Sequence, residues 1–318
     1  VIEQVYYPMQ RTIALGNTRG APAKTLDQAN AKVNYHAPIH IFNELSIDMN
    51  SMLFMRADNS NEVTDKGRFE ILRQWDLFSF RMRQFKAAVL SKLLCDGICY
   101  FDSDYMVLES SSGADTSKTI DWSVPANNKN QLNSIVGTRW DQAAANILQD
   151  LDQIRIAAES LNAESPKHIW TNSTWKQFIR ANTELKSFMV LNSTRAEAAL
   201  NGFGDTIQFG DWTWHFYDGT YIGADGSTVR KFIGDTKAII TPDAGPWFVN
   251  YNTPELVPTS VELADSVEGA IGNFVKIYGD FSYAEVKHNP ARLALFLGSN
   301  FYYGLANPNA IYCAVVGT

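Results

Sequence analysis

The chain has 318 residues, of which 45% are hydrophobic and 12% aromatic, enough to fill a large core, so a mainly disordered chain is excluded. Charged residues make up 19%, which is below the usual quarter, and the formal net charge is −7 at pH 7. This acidic balance argues against a dedicated nucleic-acid reader, although a local basic stripe can coexist with it.

The chain carries three cysteines, Cys95, Cys99 and Cys313. An odd number in so long a chain indicates free thiols and a reducing cytoplasm. No run approaches the roughly 18 consecutive apolar residues of a membrane span, and no basic segment followed by an apolar one begins the chain. We therefore expect no membrane anchor and no secretion signal.

Residues 1–60 are rich in Asn, Pro, Gly and Met, with short strand-like pieces at Val5–Tyr7 and Ile39–Phe42. Such a long irregular region is unusual in a compact monomer unless it is functional or packs on a partner. The first 60 residues therefore predict an extended excursion that contributes to assembly.

A long helix is predicted from Lys66 to Leu94, with Gly97 as its stop. Its apolar stripe consists of Ile71, Trp75, Phe78, Met82, Phe85, Val89 and Leu93. The same segment holds seven basic residues (Lys66, Arg68, Arg73, Arg81, Arg83, Lys86 and Lys92) and two acidic ones, a local net charge of +5. A solvated helix face and a nucleic-acid contact are the two interpretations of this excess.

The later segments mix strands and helices. Strand character is predicted at Ile98–Leu108, Thr119–Val124 and Ile311–Val316, and helices at Asp141–Leu161 and Ser173–Ala181, the latter capped by Ser173 or Thr174. Alternating Trp212, Trp214 and Phe216, followed by a Gly-rich turn and Thr228–Ile233, predict a β-hairpin. The fold class is α+β.

Motifs for catalysis and cofactor binding were not found: neither a phosphate-binding loop, a nucleophile elbow nor a dinucleotide fingerprint occurs. His36 and His40 have a spacing that suits zinc on a helix, but Pro38 between them argues against that helix. His168, His215 and His288 have no nucleophile beside them in the sequence. We therefore predict no enzyme, no cofactor and no metal.

Trp212 and Trp214 could stack on bases or sugars. Alternating aromatic residues in a strand are more often packed in a core or an interface, which is the interpretation preferred for both. Cys95 and Cys99 are expected to be small buried hydrophobic residues.

Several fragments, in order, resemble the major capsid proteins of tailed bacteriophages, specifically the family of the phage lambda coat protein. They are residues 17–20 and 30–55, the helix ending at Leu94–Gly97, His168–Asn172, Trp175–Arg180, Phe209–Tyr217 with Tyr221 and Lys231–Ile233, Asn289–Arg292 and Leu305–Ala310. Each is short, and their common order along the chain carries the resemblance.

The resemblance implies an HK97-like capsid fold with an extended E-loop, a long spine helix in a peripheral domain, and an axial domain. The implied segments are an E-loop region at 1–60, with the family's N-terminal arm absent or removed, and the first part of the peripheral domain at 61–135. The axial domain would follow at 136–255 and the closing strands of the peripheral domain at 256–318.

The function implied is a structural subunit that self-assembles into hexamers and pentamers of an icosahedral phage head enclosing double-stranded DNA. The implied partners are other copies of the chain, portal, scaffold and decoration or cement proteins, and DNA contacted without sequence preference; no membrane is involved. The protein would be made in the bacterial cytoplasm and reside in the virion. Alternatives are an encapsulin-like nanocompartment shell and a soluble binding protein or hydrolase.

Basic residues of the loop and the helix are the candidates for contacts with neighbouring subunits or DNA. These are Arg11, Arg19, Lys24, Lys32, Arg73, Arg81, Arg83 and Lys86. For the helix cations, pairing with acidic residues of the same or adjacent subunits is preferred over DNA contact. The lambda-like resemblance further implies shells without covalent crosslinks.

Overall fold

The computed structural model describes residues 2–6, 32–36, 38–48, 65–129, 138–161, 164–191, 205–223, 226–243, 248–258, 274–288 and 291–315. Most of the predicted extended region, including residues 17–30, lies outside these ranges. The chain divides into two compact units. Unit 1 consists mainly of residues 37–87 and 250–303, and unit 2 of residues 3–36, 88–249 and 304–318.

Helix α1 spans Asp65–Asp96, as the apolar periodicity predicts to within two residues at each end. It ends where Gly97 adopts a left-handed φ of +68°, and the Gly97 amide donates to the carbonyl of Leu93 at 2.8 Å. The predicted stripe is the packed side: Met82, Val89 and Leu93 are buried. Since the helix also includes Asp65 and Asp96, its seven basic and four acidic residues give it a net charge of +3.

Unit 1 contains most of an antiparallel sheet in which the long strand β17 (Ala291–Leu305) lies between β16 (Asp280–His288) and β3 (Ile39–Asp48). The register pairs Phe296 with Tyr283 on one side and with Glu44 on the other. Strand β13 (Phe248–Asn252) also pairs with β17. A separate pair joins β14 (Pro254–Pro258) and β15 (Phe274–Tyr278).

Unit 2 is built on a five-stranded sheet in the order β18-β12-β7-β9-β8. The strands are β7 (Pro166–Thr171), β8 (Thr206–Phe209), β9 (Trp212–Phe216), β12 (Lys237–Pro242) and β18 (Tyr312–Val315). Strands β7 and β9 are parallel and the other pairs antiparallel. Trp212 and Trp214 are buried in the core of this unit, which confirms their predicted packing role.

Among the described residues of unit 2, three further helices pack: α2 (Ile147–Ser160), α3 (Trp175–Ala181) and α4 (Thr183–Leu191). The predicted start of α2 at Asp141 is wrong because the carbonyls before it serve other partners. The Ala143 carbonyl accepts from the amide and hydroxyl of Thr183, and the Ala145 carbonyl accepts from the Asn182 side chain at 2.8 Å. Helix α4 was not predicted.

The predicted cap of α3 is also wrong, since Thr174 makes no side-chain cap hydrogen bond. Its amide instead donates to Oδ1 of Asn172 at 3.1 Å, and its hydroxyl donates to Asp235 at 3.1 Å. The side chain that holds the start of this turn is therefore Asn172.

The prediction of a single hairpin is wrong, because the structure has two separate strand pairs in this region. Strand β9 pairs with β8 across Gly210–Asp211, whereas the Gly-rich turn joins β10 (Thr220–Ile222) to β11 (Val229–Lys231). The remaining strands are β1 (Ile2–Tyr6), β2 (Lys32–His36), β4 (Ile98–Phe101), β5 (Val107–Leu108) and β6 (Ile120–Asp121). Short 3-10 helices lie at Ala126–Asn128 and Pro308–Ala310.

Candidate functional site

Two of the candidate basic residues on α1 are held by acidic residues of the same chain. Arg73 makes a bidentate contact with Glu70, with nitrogen–oxygen distances of 2.9 and 2.7 Å. Lys86 bonds Asp280, and its ammonium also lies 5.1 Å from the ring centroid of Phe301. The Arg73–Glu70 pair stabilises the helix itself, whereas the Lys86–Asp280 pair joins the helix to strand β16.

Arg81 and Arg83 differ from them, because both are exposed and no described residue pairs with either. Lys32 lies in β2, although nothing is described of its side chain. Arg11, Arg19 and Lys24 lie outside the described residues. Within the described chain, the candidates thus reduce to two cations that are available for a partner.

The same helix also exposes large apolar side chains that the sequence reasoning missed. Phe69 is 69% exposed, Leu72 61%, Leu77 49% and Phe80 51%. The signal was present in the sequence: the helix is apolar on both sides, which is unusual for a helix with one face in water. We call Phe69, Leu72, Leu77 and Phe80, with the charged residues Arg73, Asp76 and Arg83, the outward helix face.

A second mixed surface lies on the sheet of unit 1. The register places Phe42, Glu44, Tyr283 and Glu285 on one sheet face, because side chains two residues apart point the same way. Phe42 is 46% exposed and stacks on Phe296 with ring centroids 5.4 Å apart. We call Phe42, Tyr283, Glu44, Glu255 and Glu285 the aromatic–acidic patch.

The charges of this patch affect the pKa of Tyr283. Burial, followed by the charges of Glu285, Glu255 and Glu44, raises the pKa of the Tyr283 hydroxyl. Glu44 pairs with Arg292 at 3.4 Å, and Glu255 accepts a hydrogen bond from Asn300 at 2.6 Å. No described residue forms an ion pair with Glu285. The patch therefore combines an exposed aromatic ring with three carboxylates, of which Glu44 is paired with Arg292.

In unit 2, Glu109 joins the end of α1 to the β10–β11 pair. It accepts from Lys92, from Arg230 at 2.5 Å and from the hydroxyl of Tyr221 at 3.2 Å. Burial raises the pKa of Glu109, but the hydrogen bonds and charges of Lys92 and Arg230 outweigh it and hold the pKa below its ordinary value. These residues border a cavity of about 190 Å³. The paired charges indicate a structural anchor.

A chain of hydrogen-bonding groups crosses the open face of the sheet in unit 2. Nδ1 of His168 lies 2.9 Å from Nε2 of His215, and Nε2 of His168 lies 3.0 Å from Asp243. The ring of Trp170 stacks on His215 with centroids 4.1 Å apart. Burial and the neighbouring His168 lower the pKa of His215. No serine or cysteine is bonded to these histidines among the described residues.

Within the described ranges, no three His, Cys, Asp or Glu side chains are grouped as metal ligands. All three cysteines are buried free thiols, as predicted for Cys95 and Cys99. Burial raises the pKa of Cys99 to about 12, so this thiol stays protonated and weakly nucleophilic near neutral pH. Among the helices described, none has the length and apolar content needed to cross a membrane.

Comparison with solved structures shows the HK97-type fold of phage capsid proteins. The putative capsid protein of an Escherichia coli CFT073 prophage matches with a TM-score of 0.53 and 13% identity, over 91% of this chain and 80% of that one.

Two further structures match with lower scores. The Gordonia phage Cozz structure has a TM-score of 0.48 and 9% identity, over 99% of this chain and 81% of that one. The holo-SrpI encapsulin complex of Synechococcus elongatus PCC 7942 has a TM-score of 0.37 and 10% identity, over 98% of this chain and 81% of that one. Curated protein sequences gave no significant match.

The family model of phage major capsid protein E matches residues 108–314, about two thirds of the chain. The chain therefore belongs to the phage major capsid protein E family. It is a structural capsid protein, and its place is the virion.

Proposed function

We propose that this protein is the subunit from which the head of a tailed phage is built, forming hexamers and pentamers of an icosahedral shell around double-stranded DNA. The observation that carries the proposal is the family match over residues 108–314, on a chain with the HK97-type fold. Portal, scaffold and decoration proteins are its proposed partners, and the bacterial cytoplasm its proposed place of synthesis.

We assign the domains of the proposed capsid subunit to the segments expected from the resemblance. Residues 1–60 form the E-loop region, 61–135 and 256–318 the peripheral domain, and 136–255 the axial domain. A long segment that cannot be buried in its own subunit gains stability by lying on the next one. DNA contact is sparse and blind to sequence, since a protein of net charge −7 offers few positions to phosphates.

Sedimentation of the full-length protein, purified without denaturant, tests the proposal. We expect a fast-sedimenting species far larger than a dimer, either spontaneously or when the phage's own scaffold is co-expressed. Protein that stays monomeric or dimeric under both conditions would contradict a shell-forming role. Particles that contain a co-purified enzyme and no nucleic acid would instead favour the nanocompartment alternative.

A further inference from the structure

The cavity at the end of α1 in unit 2 is bordered by more basic than acidic side chains. Its charged lining consists of four cations and two carboxylates: Lys92, Arg230, Lys231, Lys237, Asp96 and Glu109. Lys231 is bonded to Asp235 and also interacts with the charge of Asp218, so we leave it out of the balance. Three cations and two carboxylates remain, a net charge of +1.

Each of the two carboxylates is shared between two cations. Glu109 accepts from Lys92 and, at 2.5 Å, from Arg230. Asp96 accepts from Lys237, and its other oxygen lies 3.6 Å from the ammonium of Lys92. An ammonium group has three N–H donors, and neither lysine bonds another acceptor among the described residues. Donors at the cavity therefore remain for a ligand.

The three cations are partly withdrawn from water. The exposed fraction of the side chain is 13% for Lys92, 25% for Lys237 and 29% for Arg230. Burial lowers the pKa of Lys237, but the hydrogen bond and charge of Asp96 outweigh burial and raise this pKa above its ordinary value. Lys237 is therefore protonated at neutral pH, and its positive charge is fully present in the cavity.

The carboxyl end of α1 is a further negative group near the cavity. Through the helix dipole it carries roughly half a negative charge. The ammonium of Lys129 lies at this end, 3.0 Å from the position that a Cβ on Gly97 would take. Because Lys129 offsets the helix end, the lining keeps its positive excess. A partly buried cation without a full counter-charge attracts an anion.

We propose that this cavity binds a small oxyanion, namely inorganic phosphate or a phosphate group of a larger molecule, held by Lys92, Arg230 and Lys237. A volume of about 190 Å³ is more than ten times the roughly 10–15 Å³ that a bound water needs. Phosphate oxygens accept from a guanidinium fork and from ammonium groups at the same time. The bound anion links α1, β11 and β12. The site belongs to the single subunit and does not depend on the proposed function.

Two variants that break the same ion pair test the proposal. Lys237→Gln removes a positive charge from the cavity and Asp96→Asn removes a negative one, and each abolishes the Lys237–Asp96 bond. Calorimetric titration of the full-length protein with sodium phosphate, at neutral pH and constant ionic strength, measures the affinity. We expect saturable binding with a Kd below about 10 mM in wild type. Lys237→Gln should weaken binding about tenfold, and Asp96→Asn should strengthen it about threefold.

The opposite signs separate an anion site from a structural ion pair, because loss of the pair alone would affect both variants alike. Lys186→Gln, which removes an exposed charge of α4 outside the cavity, is the control and should leave the affinity unchanged. Circular dichroism checks that every variant is folded. Wild-type protein without saturable binding, or equal changes in the two cavity variants, would overturn the proposal.

A competition experiment identifies the source of the phosphate group. Short double-stranded DNA that displaces inorganic phosphate would assign the site to nucleic-acid phosphates, whereas phosphate binding that DNA leaves unchanged would assign it to the free anion. Shell formation is scored separately on the same preparations. Wild-type shells that form normally without phosphate binding would remove the site and leave the proposed function standing.

Discussion

At the scale of single residues, Gly97 has the clearest structural requirement. Its φ of +68° is strained for any other residue, and a Cβ placed there would lie 2.7 Å from Cε of Lys129 and 3.0 Å from Cγ2 of Val124. The glycine lets the chain leave α1 and enter β4 at once, with the Trp122 amide donating to the Gly97 carbonyl at 2.9 Å.

We predict that Gly97→Ala lowers the free energy of unfolding by about 2 kcal/mol, through backbone strain and the contact with Val124, because the end of the Lys129 side chain can move aside. Gly210→Ala is the matched control: its φ is +58°, but the added Cβ meets nothing within 4 Å, so it should cost only about 1 kcal/mol. Urea unfolding of the unassembled subunit measures both. Equal losses would show that the crowding is relieved without cost.

Glu109 carries a prediction about pH. Its pKa in the folded protein lies below the ordinary 4.5, so its stabilising contribution is present above about pH 4.5 and is lost as the pH falls through the folded-state pKa. Because its side chain is 44% exposed, solvent screening limits the contribution to about 0.5–1 kcal/mol.

Glu109→Gln should therefore reduce the free energy of unfolding at pH 7, with a difference from wild type that shrinks in acid. Urea titrations at pH 7 and pH 4 provide the measurement. Glu159→Gln, on the exposed surface of α2, serves as the control and should change stability at neither pH. A difference that stays constant or grows in acid would mean that the Glu109 charge is not what stabilises the contact.

At the scale of elements, strong periodicity predicted structure well and mixed patterns did not. Helix α1 followed from its apolar repeat, but its second, exposed apolar side was overlooked because one stripe already accounted for the fold. Strand β17 escaped prediction since its sequence lacks clear alternation: both faces of Ala294–Asn300 are buried.

The partners of the strands could not be derived from local patterns either. Trp212–Phe216 was expected to pair with the segment after the Gly-rich turn, yet its neighbours are β8 and β7. Sequence alone shows which residues alternate, whereas pairing depends on contacts between distant segments. The candidate cations were found by charge alone, and their separation into paired and unpaired groups required the structure.

The exposed pair Arg81 and Arg83 gives the prediction for helix α1. Changing both to Gln should alter the unfolding free energy of the free subunit by less than about 0.5 kcal/mol, because neither has a described partner in its own chain. Shell yield should nevertheless fall, since carboxylates of the neighbouring subunit lose their partners.

Electron microscopy of the variant distinguishes this from DNA contact. Normal empty shells, together with filled heads that become less stable in a salt-dependent way, would contradict inter-subunit pairing and favour contact with packaged phosphates.

At the scale of the whole molecule, the extended region is expected to act between subunits. Deleting Asn17–Asn30 should leave a folded subunit, with helical circular dichroism and a cooperative unfolding transition, that fails to form shells. Deleting Ser110–Gly113, a short exposed loop, is the control and should preserve assembly. Intact particles from the longer deletion would refute a role for this region in assembly.

The central claim is that this chain builds a closed shell, and electron microscopy of the purified full-length protein tests it most directly. We predict icosahedral particles whose hexamers and pentamers are made of this chain alone. A monodisperse monomer or dimer, persisting when the phage's scaffold protein is supplied, would contradict it.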